Sequence, residues 1–196
     1  MFSGLIHFQG TLAGRDPDGG HRLNIDCPGL DPVTGGSVAV NGVCLTATAA
    51  LPGRFAADLS PETLAITTLG ALPVGRRLNL ELPLTPATLL DGHLVCGHVD
   101  GIGVVRSRDD LDAARRLWFD APQALLPLVA PKGSIAIDGV SLTVNEVDAG
   151  GFCVMLIPHT LKNTTLSDLV AGDRVNLEVD PIARYVARRL SFPVEP

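Results

Sequence analysis

Three side chains in this sequence are suited to covalent or proton-transfer chemistry: Cys44, Ser141 and His98. A cysteine thiolate is a strong nucleophile. A histidine imidazole titrates near neutral pH and can transfer a proton. Each also has a structural alternative, because a cysteine in a strand commonly packs as a small apolar residue and a histidine often forms a structural hydrogen bond. Their places along the chain must decide between the two interpretations.

Cys44 and Ser141 occupy the same place in an internal repeat. Residues 36–46 (GSVAVNGVCLT) are echoed 97 positions later by residues 133–143 (GSIAIDGVSLT), and roughly half of the positions from 36 to 81 match. A period of this length is a whole small domain, since solenoid units span about 20–50 residues. The chain therefore carries two copies of one site. A thiol in one copy and a hydroxyl in the other indicate either divided duties or drift after duplication.

Short strands joined by tight turns are predicted around both positions. In each copy an Asn-Gly or Asp-Gly pair separates two apolar runs, which is typical of a β-hairpin. Several short strands in about 90 residues favour a small closed barrel, so the fold class is mainly β. The predicted strands are 37–40, 43–47, 54–59 and 77–82, with counterparts at 134–137, 140–144, 151–157 and 174–179.

Helical signals are few. Pro61 and Pro158 begin predicted one-turn helices, because proline is favoured at the first helical position. Residues 181–190 are predicted to form a short C-terminal helix that Pro193 ends. The domains are therefore expected at residues 1–90 and 91–180, followed by a helix and tail at 181–196.

The composition excludes several classes of protein. The 196 residues carry a net charge of −6 without a basic run, which argues against nucleic acid or an anionic membrane surface as a partner. No apolar stretch is long enough to span a bilayer, and we see no secretory signal. The four cysteines lack metal-site spacing and do not recur between the repeats. We expect reduced thiols, no metal and a cytoplasmic protein.

Several motifs in order along the chain resemble the riboflavin synthase family. They are residues 1–4 (MFSG), 41–46 (NGVCLT), 92–101 (GHLVCGHVDG), 132–143 (KGSIAIDGVSLT) and 175–181 (VNLEVDP), and the resemblance covers essentially the whole chain. Two departures are Ser3, where the family usually has threonine, and Val43, where some members have a second cysteine.

The resemblance implies two tandem homologous six-stranded Greek-key β-barrels. It also implies an enzyme that dismutates two molecules of 6,7-dimethyl-8-ribityllumazine. One molecule gains a four-carbon unit and becomes riboflavin, and the other becomes 5-amino-6-ribitylamino-2,4(1H,3H)-pyrimidinedione. The family needs no cofactor and works as a homotrimer with active sites between subunits. The short tail leads us to expect weaker association than in a rigid symmetric trimer. The alternative is a non-catalytic lumazine- or flavin-binding protein of the same fold.

Roles for individual residues follow from the resemblance. Cys44 is the candidate nucleophile, although water or a ribityl hydroxyl could also add to the ring. Ser141 and His98 are assigned to the second barrel as donor-site groups, and residues 98–101 are matched to residues 1–4. Substrate contacts are expected from Phe2, which would cover the ring, from Lys132 and Asp180, which would bind each other or the ribityl chain, and from Gly4, Leu5, Ile6, Ser37, Leu45, Thr46, Asp58, Leu59, Ser60, Pro61, Glu62, Thr63, Gly97, Val99, Leu142, Thr143, Ile157, Pro158, His159, Thr160 and Leu161.

Overall fold

The protein is described by a computed structural model that covers residues 1–16 and 21–192. The chain forms two closed barrels of six antiparallel strands each, which confirms the predicted fold class. The first barrel has the spatial order β1-β2-β5-β4-β3-β6, a Greek key. Its strands are β1 (Phe8–Arg15), β2 (Arg22–Asp26), β3 (Ser37–Val40), β4 (Val43–Leu51), β5 (Arg54–Asp58) and β6 (Arg77–Glu81).

The second barrel repeats the same cyclic order with β7 to β12. Its strands are β7 (Gly101–Leu111), β8 (Ala114–Asp120), β9 (Ser134–Ile137), β10 (Val140–Val147), β11 (Gly151–Leu156) and β12 (Arg174–Val179). The helices α1 (Pro61–Ile66), α2 (Pro158–Asn163) and α3 (Pro181–Leu190) all begin at the predicted prolines. The helix stop predicted at Pro193 lies outside the described residues. The domain boundaries near residues 90 and 180 stay a prediction.

The two predicted hairpin turns have the backbone that their residues favour. Asn41 and Gly42 have φ angles of 44° and 77°, and Asp138 and Gly139 have 44° and 79°. Positive φ at both central positions is the type I′ turn, whose twist matches that of the flanking strands. The turns also meet each other. A Cβ on Gly42 would lie 2.6 Å from the backbone nitrogen of Gly139, so a local two-fold axis relates the barrels here.

Matching asparagines tie the barrels together beside these turns. The Nδ2 of Asn79 in β6 donates to the carbonyl of Asp138 at 3.0 Å. The Nδ2 of Asn176 in β12 donates to the carbonyl of Asn41 at 2.8 Å. All four residues are buried. Because a buried polar group is costly when it lacks a partner, these bonds favour one relative placement of the barrels.

Each barrel encloses its own apolar core, and a third apolar cluster lies between the barrels. The third cluster contains Phe2, Ala39, Val95 and Ala136, with the partly buried Cys44 packed against it. Phe2 is completely buried and forms an antiparallel bridge with Val95. The prediction that Phe2 covers a bound ring is therefore wrong, because its side chain packs into the junction of the barrels.

Within the described part of the chain, no helix is long and apolar enough to cross a membrane. All four cysteines are free, and their reduced state stays a prediction. The cytoplasmic location stays a prediction.

Candidate active site

Each barrel carries a pocket that contains its repeat's candidate for chemistry. The first site, a cavity of about 290 Å³, is lined by Val43, Cys44, Glu62, Thr63, Ile66, Thr67, Gly97, His98 and Val99. The second site, of about 120 Å³, is lined by Gly4, Leu5, Ile6, His7, Val140, Ser141, His159, Thr160, Asn163 and Thr164. Both are built from the start of a hairpin strand, a short helix and a chain segment that precedes a barrel.

The preceding segments are exchanged between the barrels. The backbone N–H of Cys44, in the first barrel, donates to the carbonyl of Gly97 just ahead of the second barrel at 2.9 Å. The N–H of Ser141, in the second barrel, donates to the carbonyl of Gly4 at the start of the chain at 2.8 Å. Each site is thus completed by the other repeat, which the sequence analysis did not predict.

Glycine is required at both crossing points. Gly97 has a φ of 79°, and a Cβ there would lie 2.5 Å from the Cβ of Cys44. Gly4 has a φ of 74°, and a Cβ there would lie 2.7 Å from the Cβ of Ser141. A methyl group at either position would therefore collide with the residue at the centre of its site.

A buried carboxylate holds the segment at the first site. Glu178 in β12 accepts the N–H groups of Cys96 at 2.7 Å, Gly97 at 2.9 Å and His98 at 3.1 Å. Burial raises the pKa of Glu178, and the hydrogen bonds from Cys96 and Gly97 oppose that rise. Three donors on one carboxylate fix the backbone that faces Cys44.

Glu81 in β6 does the same at the second site. Its carboxylate accepts the N–H of Ser3 at 2.7 Å, the Ser3 hydroxyl at 2.7 Å and the N–H of Gly4 at 3.1 Å. Burial raises its pKa, again against the hydrogen bonds from Ser3 and Gly4. The hydroxyl of Ser3 thus has a defined structural task, which a threonine could also perform.

These contacts correct the register predicted for the preceding segments. Gly97 corresponds to Gly4, 93 positions earlier, so His98 corresponds to Leu5. The predicted match of residues 98–101 to residues 1–4 is wrong. The strand β7 pairs with β12 in the same register as β1 pairs with β6, which fixes the offset of the first strands at 93. The offset of 97 holds only from β3 onward, because the first two strands and their connection differ in length between the repeats.

The histidines are also distributed differently from the prediction. His98 is exposed and lines the first site with Cys44, whereas it was assigned to the second barrel with Ser141. The histidine next to Ser141 is His93, whose Nδ1 lies 2.7 Å from the Ser141 Oγ. The grouping of His98 with Ser141 is therefore corrected to His93 with Ser141.

His93 has one ring nitrogen without a protein partner. Within the described residues, its Nε2 is buried and makes no hydrogen bond. Burial lowers the pKa of His93, and the charge of Asp180 partly opposes this. A neutral imidazole bonded to a hydroxyl can accept a proton.

The four cysteines differ in their surroundings. Cys27 and Cys153 are fully buried, and burial raises the pKa of Cys27 to about 11. Burial also raises the pKa of Cys96 and Cys153. Only Cys44 lines either site. Since the thiolate is the nucleophile, the three other thiols are poorly suited to that role.

The short helices place polar groups at the edge of each site. Ser60 caps α1, and its Oγ accepts the N–H of Thr63 at 3.0 Å. Ile157 at the same place before α2 makes no side-chain cap. Pro61, Glu62, Pro158, His159 and Thr160 lie in the first turns, as predicted from the two prolines. Ile66 and Asn163 also line the sites but were not predicted.

Several predicted contact residues point elsewhere. Four predicted leucines lie outside the two pocket linings: Leu45, Leu59 and Leu142 are buried in the barrel cores, and Leu161 packs against the second core. Asp58 forms an exposed ion pair with Arg22 at 2.6 Å. Ser37, Thr46 and Thr143 lie on the hairpin strands but outside the two pocket linings, and Ile157 is exposed before α2.

Lys132 and Asp180 do not pair with each other. No ion pair within the described residues joins them. Lys132 is an exposed loop residue with a φ of 67°, and its N–H donates to the carbonyl of Val144. Asp180 caps α3, where its Oδ1 accepts the N–H of Ile182 at 2.8 Å. Within the same residues no group of three or more His, Cys, Asp or Glu side chains is placed to hold a metal.

Comparison with known proteins agrees with this duplicated arrangement. A lumazine binding domain matches residues 3–83 and again residues 96–180. Riboflavin synthase from Brucella abortus (strain 2308) is 43% identical, over 98% of this chain and 99% of its own length. The enzyme of the same name from Mycobacterium bovis is 42% identical, over 96% and 97%. The chain belongs to the riboflavin synthase family.

A riboflavin synthase from Photobacterium phosphoreum is 38% identical over 97% of this chain and 89% of its own length. Among solved structures, LumP complexed with riboflavin superposes with a TM-score of 0.81 and covers 91% of this chain and 99% of its own. LumP complexed with 6,7-dimethyl-8-(1'-D-ribityl) lumazine has a TM-score of 0.78. Both are 21% identical to this chain, and that likeness supports the double-barrel fold alone.

Proposed function

We propose that this member of the riboflavin synthase family converts two molecules of 6,7-dimethyl-8-ribityllumazine into riboflavin and 5-amino-6-ribitylamino-2,4(1H,3H)-pyrimidinedione. One structural observation supports this reaction in addition to membership of the family. The chain holds two pockets of the same construction, and their central residues differ in chemistry: the first is lined by Cys44, and the second by Ser141, whose hydroxyl contacts His93 behind the pocket lining. A dismutation needs this combination: two sites for one molecule, with one site that adds a nucleophile and one that removes a proton.

The first site is suited to the acceptor molecule. Cys44 is the second residue of the return strand β4 of a hairpin, is partly exposed and lines the cavity. It is the protein group placed to add to the electron-poor ring. The segment of Gly97 and His98 forms the facing wall, with backbone groups fixed by Glu178. A wall held in place by these hydrogen bonds would keep the ring oriented toward its partner.

The second site is suited to the donor molecule, which must lose a proton from its C7 methyl group. We propose that Ser141 and His93 act there together: the Ser141 hydroxyl, which lines the pocket, accepts the methyl proton while it gives its own proton to the Nδ1 of His93. Their 2.7 Å contact and the lowered pKa of His93 support this role, because a neutral imidazole is the competent base.

One chain does not bring its own two sites together. Phe2 and Val95 pair in antiparallel fashion, so the chain runs from Phe2 to Gly4 in one direction and from Val95 to Gly97 in the other. An extended backbone advances about 3.3 Å per residue, which separates the two glycines by roughly 13 Å. Stacked rings lie only about 3.5 Å apart. We propose that the first site of one subunit faces the second site of a neighbour.

Helix α3 offers a surface for that assembly. It is amphipathic, and Ile182, Tyr185, Val186 and Leu190 are between 52% and 79% exposed. Large apolar side chains clustered on one exposed face mark an interaction surface. We propose that α3 joins subunits, as a homotrimer by analogy with the family. We also propose that the reaction needs no cofactor, since both carbon donor and acceptor are the same molecule, and that it takes place in the cytoplasm.

The test is direct. Purified protein is incubated with 6,7-dimethyl-8-ribityllumazine, and riboflavin is followed by absorbance and fluorescence. We expect one riboflavin for about every two lumazines consumed, with or without a chelator. Conversion that is lost on chelation and restored by a metal contradicts the cofactor-free reaction, and no conversion contradicts the function.

The same protein preparation distinguishes the enzyme from the alternative, a non-catalytic carrier. A carrier would purify yellow and fluorescent with ligand bound at high occupancy, and it would leave added lumazine unchanged. The enzyme should release its product and purify largely colourless.

A further inference from the structure

Two arginines on equivalent strands have very different surroundings. Arg77 begins β6 and Arg174 begins β12, and each strand pairs with the first strand of its barrel in the same register. The Nη1 of Arg77 donates to Oδ2 of Asp168 in the other barrel at 2.9 Å. Its Nη2 donates to the Oε1 of Gln9. Arg77 is therefore bound by two oxygen acceptors.

Arg174 has neither acceptor. The residue that corresponds to Asp168, 97 positions earlier, is Ala71, which ends the 3₁₀ turn Thr68–Ala71 as Asp168 ends Thr165–Asp168. The residue that corresponds to Gln9 is Ile102, since Gln9 pairs with Asn79 and Ile102 with Asn176. Within the described residues, the guanidinium of Arg174 makes no hydrogen bond or ion pair.

A cleft stands where the missing carboxylate would be. It has a volume of about 300 Å³ and lies between the barrels, lined by Thr68, Ala71, Leu72, Pro73, Arg76, Gly172, Asp173 and Arg174. None of these residues lines either proposed lumazine site. Two guanidinium groups and one carboxylate give the lining a formal charge of +1. The carboxylate, Asp173, already accepts the N–H of Val170 at 3.0 Å.

We propose that this cleft is a binding site for a small oxyanion, such as phosphate or a short carboxylate, held by Arg174 and Arg76. The mirrored side of the same molecule is the precedent, because there a carboxylate of Asp168 occupies the place in front of Arg77. Oxygen anions bind guanidinium groups through charge-assisted hydrogen bonds. The cleft is open, so solvent and salt screen the charges of the two arginines, and we expect weak binding.

The site borders the first lumazine pocket without overlapping it. Thr68 follows Thr67, which lines that pocket, and the N–H of Thr68 is bonded to the Oδ1 of Asn176 at 2.7 Å. An anion between Arg76 and Arg174 would link the two barrels across their junction. The expected consequence of binding is a more stable double barrel.

The test compares thermal unfolding with and without sodium phosphate, and sodium chloride keeps the ionic strength constant. The same comparison is then made with sodium acetate in place of phosphate. Phosphate at about 50 mM should raise the Tm of the wild-type protein by a few degrees. A response to phosphate alone assigns the site to tetrahedral oxyanions, and a response to both assigns it to oxyanions in general. No response to either overturns the proposal.

Two substitutions follow from the symmetry of the molecule. Ala71→Asp places a carboxylate in front of Arg174, as Asp168 does for Arg77. It should raise the Tm without phosphate and abolish the phosphate response. Asp168→Ala removes the carboxylate in front of Arg77. It should increase the rise in Tm that phosphate causes, because Arg77 can then also bind the anion. An Ala71→Asp protein that unfolds cooperatively and still responds like the wild type would show that phosphate binds elsewhere and would overturn the site.

Arg174→Ala and Arg77→Ala form the matched control pair. Both remove an exposed arginine at the start of a strand, but only Arg174 lines the cleft. The phosphate response should be lost in the first and kept in the second. Equal responses in the two variants would contradict the proposal. Riboflavin formation measured in parallel is a separate question, so failure of the anion site leaves the proposed reaction untouched.

Discussion

At the scale of single residues, Cys44 differs from the buried Cys27 and Cys153 because it is partly exposed and lines the first site. Cys44→Ala should lower kcat by at least about tenfold and change ligand affinity far less, because the thiol is needed mainly in the transition state. The measurements are steady-state riboflavin formation and fluorescence titration with riboflavin. The matched controls are Cys27→Ala and Cys153→Ala, whose thiols are fully buried. These should keep kcat and lose about 1–2 kcal/mol of stability through packing. Equal kinetic effects in all three variants would remove any special role for Cys44.

A second residue-scale prediction concerns Asp138, which occupies the place of Asn41 in the first repeat. Burial raises the pKa of Asp138 to about 7, and the hydrogen bond from Asn176, with Arg76 nearby, opposes that rise. Its contribution to stability is complete below the unfolded value of 3.8 and is lost as the pH rises through about 7. Asn41 accepts the N–H of Asn79 at 2.8 Å just as Asp138 accepts that of Asn176.

Asp138→Asn should therefore keep the hydrogen bond and remove the titration. We expect a variant more stable than the wild type at pH 8, by up to a few kcal/mol, with a smaller difference at pH 5. Urea unfolding at the two pH values measures this. A variant that is less stable than the wild type at pH 8 would show that the ionised carboxylate is stabilising.

At the scale of elements, the exchanged segments depend on glycine. Gly97→Ala would drive a methyl group into Cys44 and should reduce riboflavin formation more than tenfold, with weaker binding at the first site. Gly53→Ala is the control, because Gly53 also has a positive φ, 70°, but an added Cβ there meets nothing within 4 Å. It should cost about 1 kcal/mol of stability and keep activity. Comparable loss of activity in both variants would mean that the strained backbone, and not the contact, causes the effect.

The elements themselves were largely predictable. The turn pairs at Asn41 and Asp138 have the required positive φ, and the helix predicted at residues 181–190 is observed over those residues. These features depend on local sequence. The exchange of segments between barrels depends on contacts far apart in the chain, and the change of offset from 97 to 93 concealed it. The contact of His93 with Ser141 was missed for the same reason, since nothing local distinguishes His93 from His98.

At the scale of the whole molecule, duplication explains both the fold and the proposed chemistry. Two copies of one barrel give two pockets of the same construction, and the proposed separate tasks of these pockets depend on small differences between the copies. Comparison of the two copies also draws attention to Arg174 and Asp138. The counterpart of Arg174 is Arg77, which is bound by two acceptors, and the counterpart of Asp138 is the neutral Asn41. The internal repeat made the double barrel predictable from the sequence. It could not predict which surfaces of the barrels meet, because that depends on the packing of Phe2 and Val95 and on the buried asparagines.

We propose that catalysis needs the first site of one subunit and the second site of another. The decisive measurement mixes two inactive chains, Cys44→Ala and the double variant Ser141→Ala with His93→Ala, under conditions that exchange subunits. Riboflavin formation should return in the mixture, because some interfaces then pair two intact sites, and activity should fall on dilution to the monomer. A mixture no more active than its separate components, or specific activity unchanged in a proven monomer, would contradict the claim.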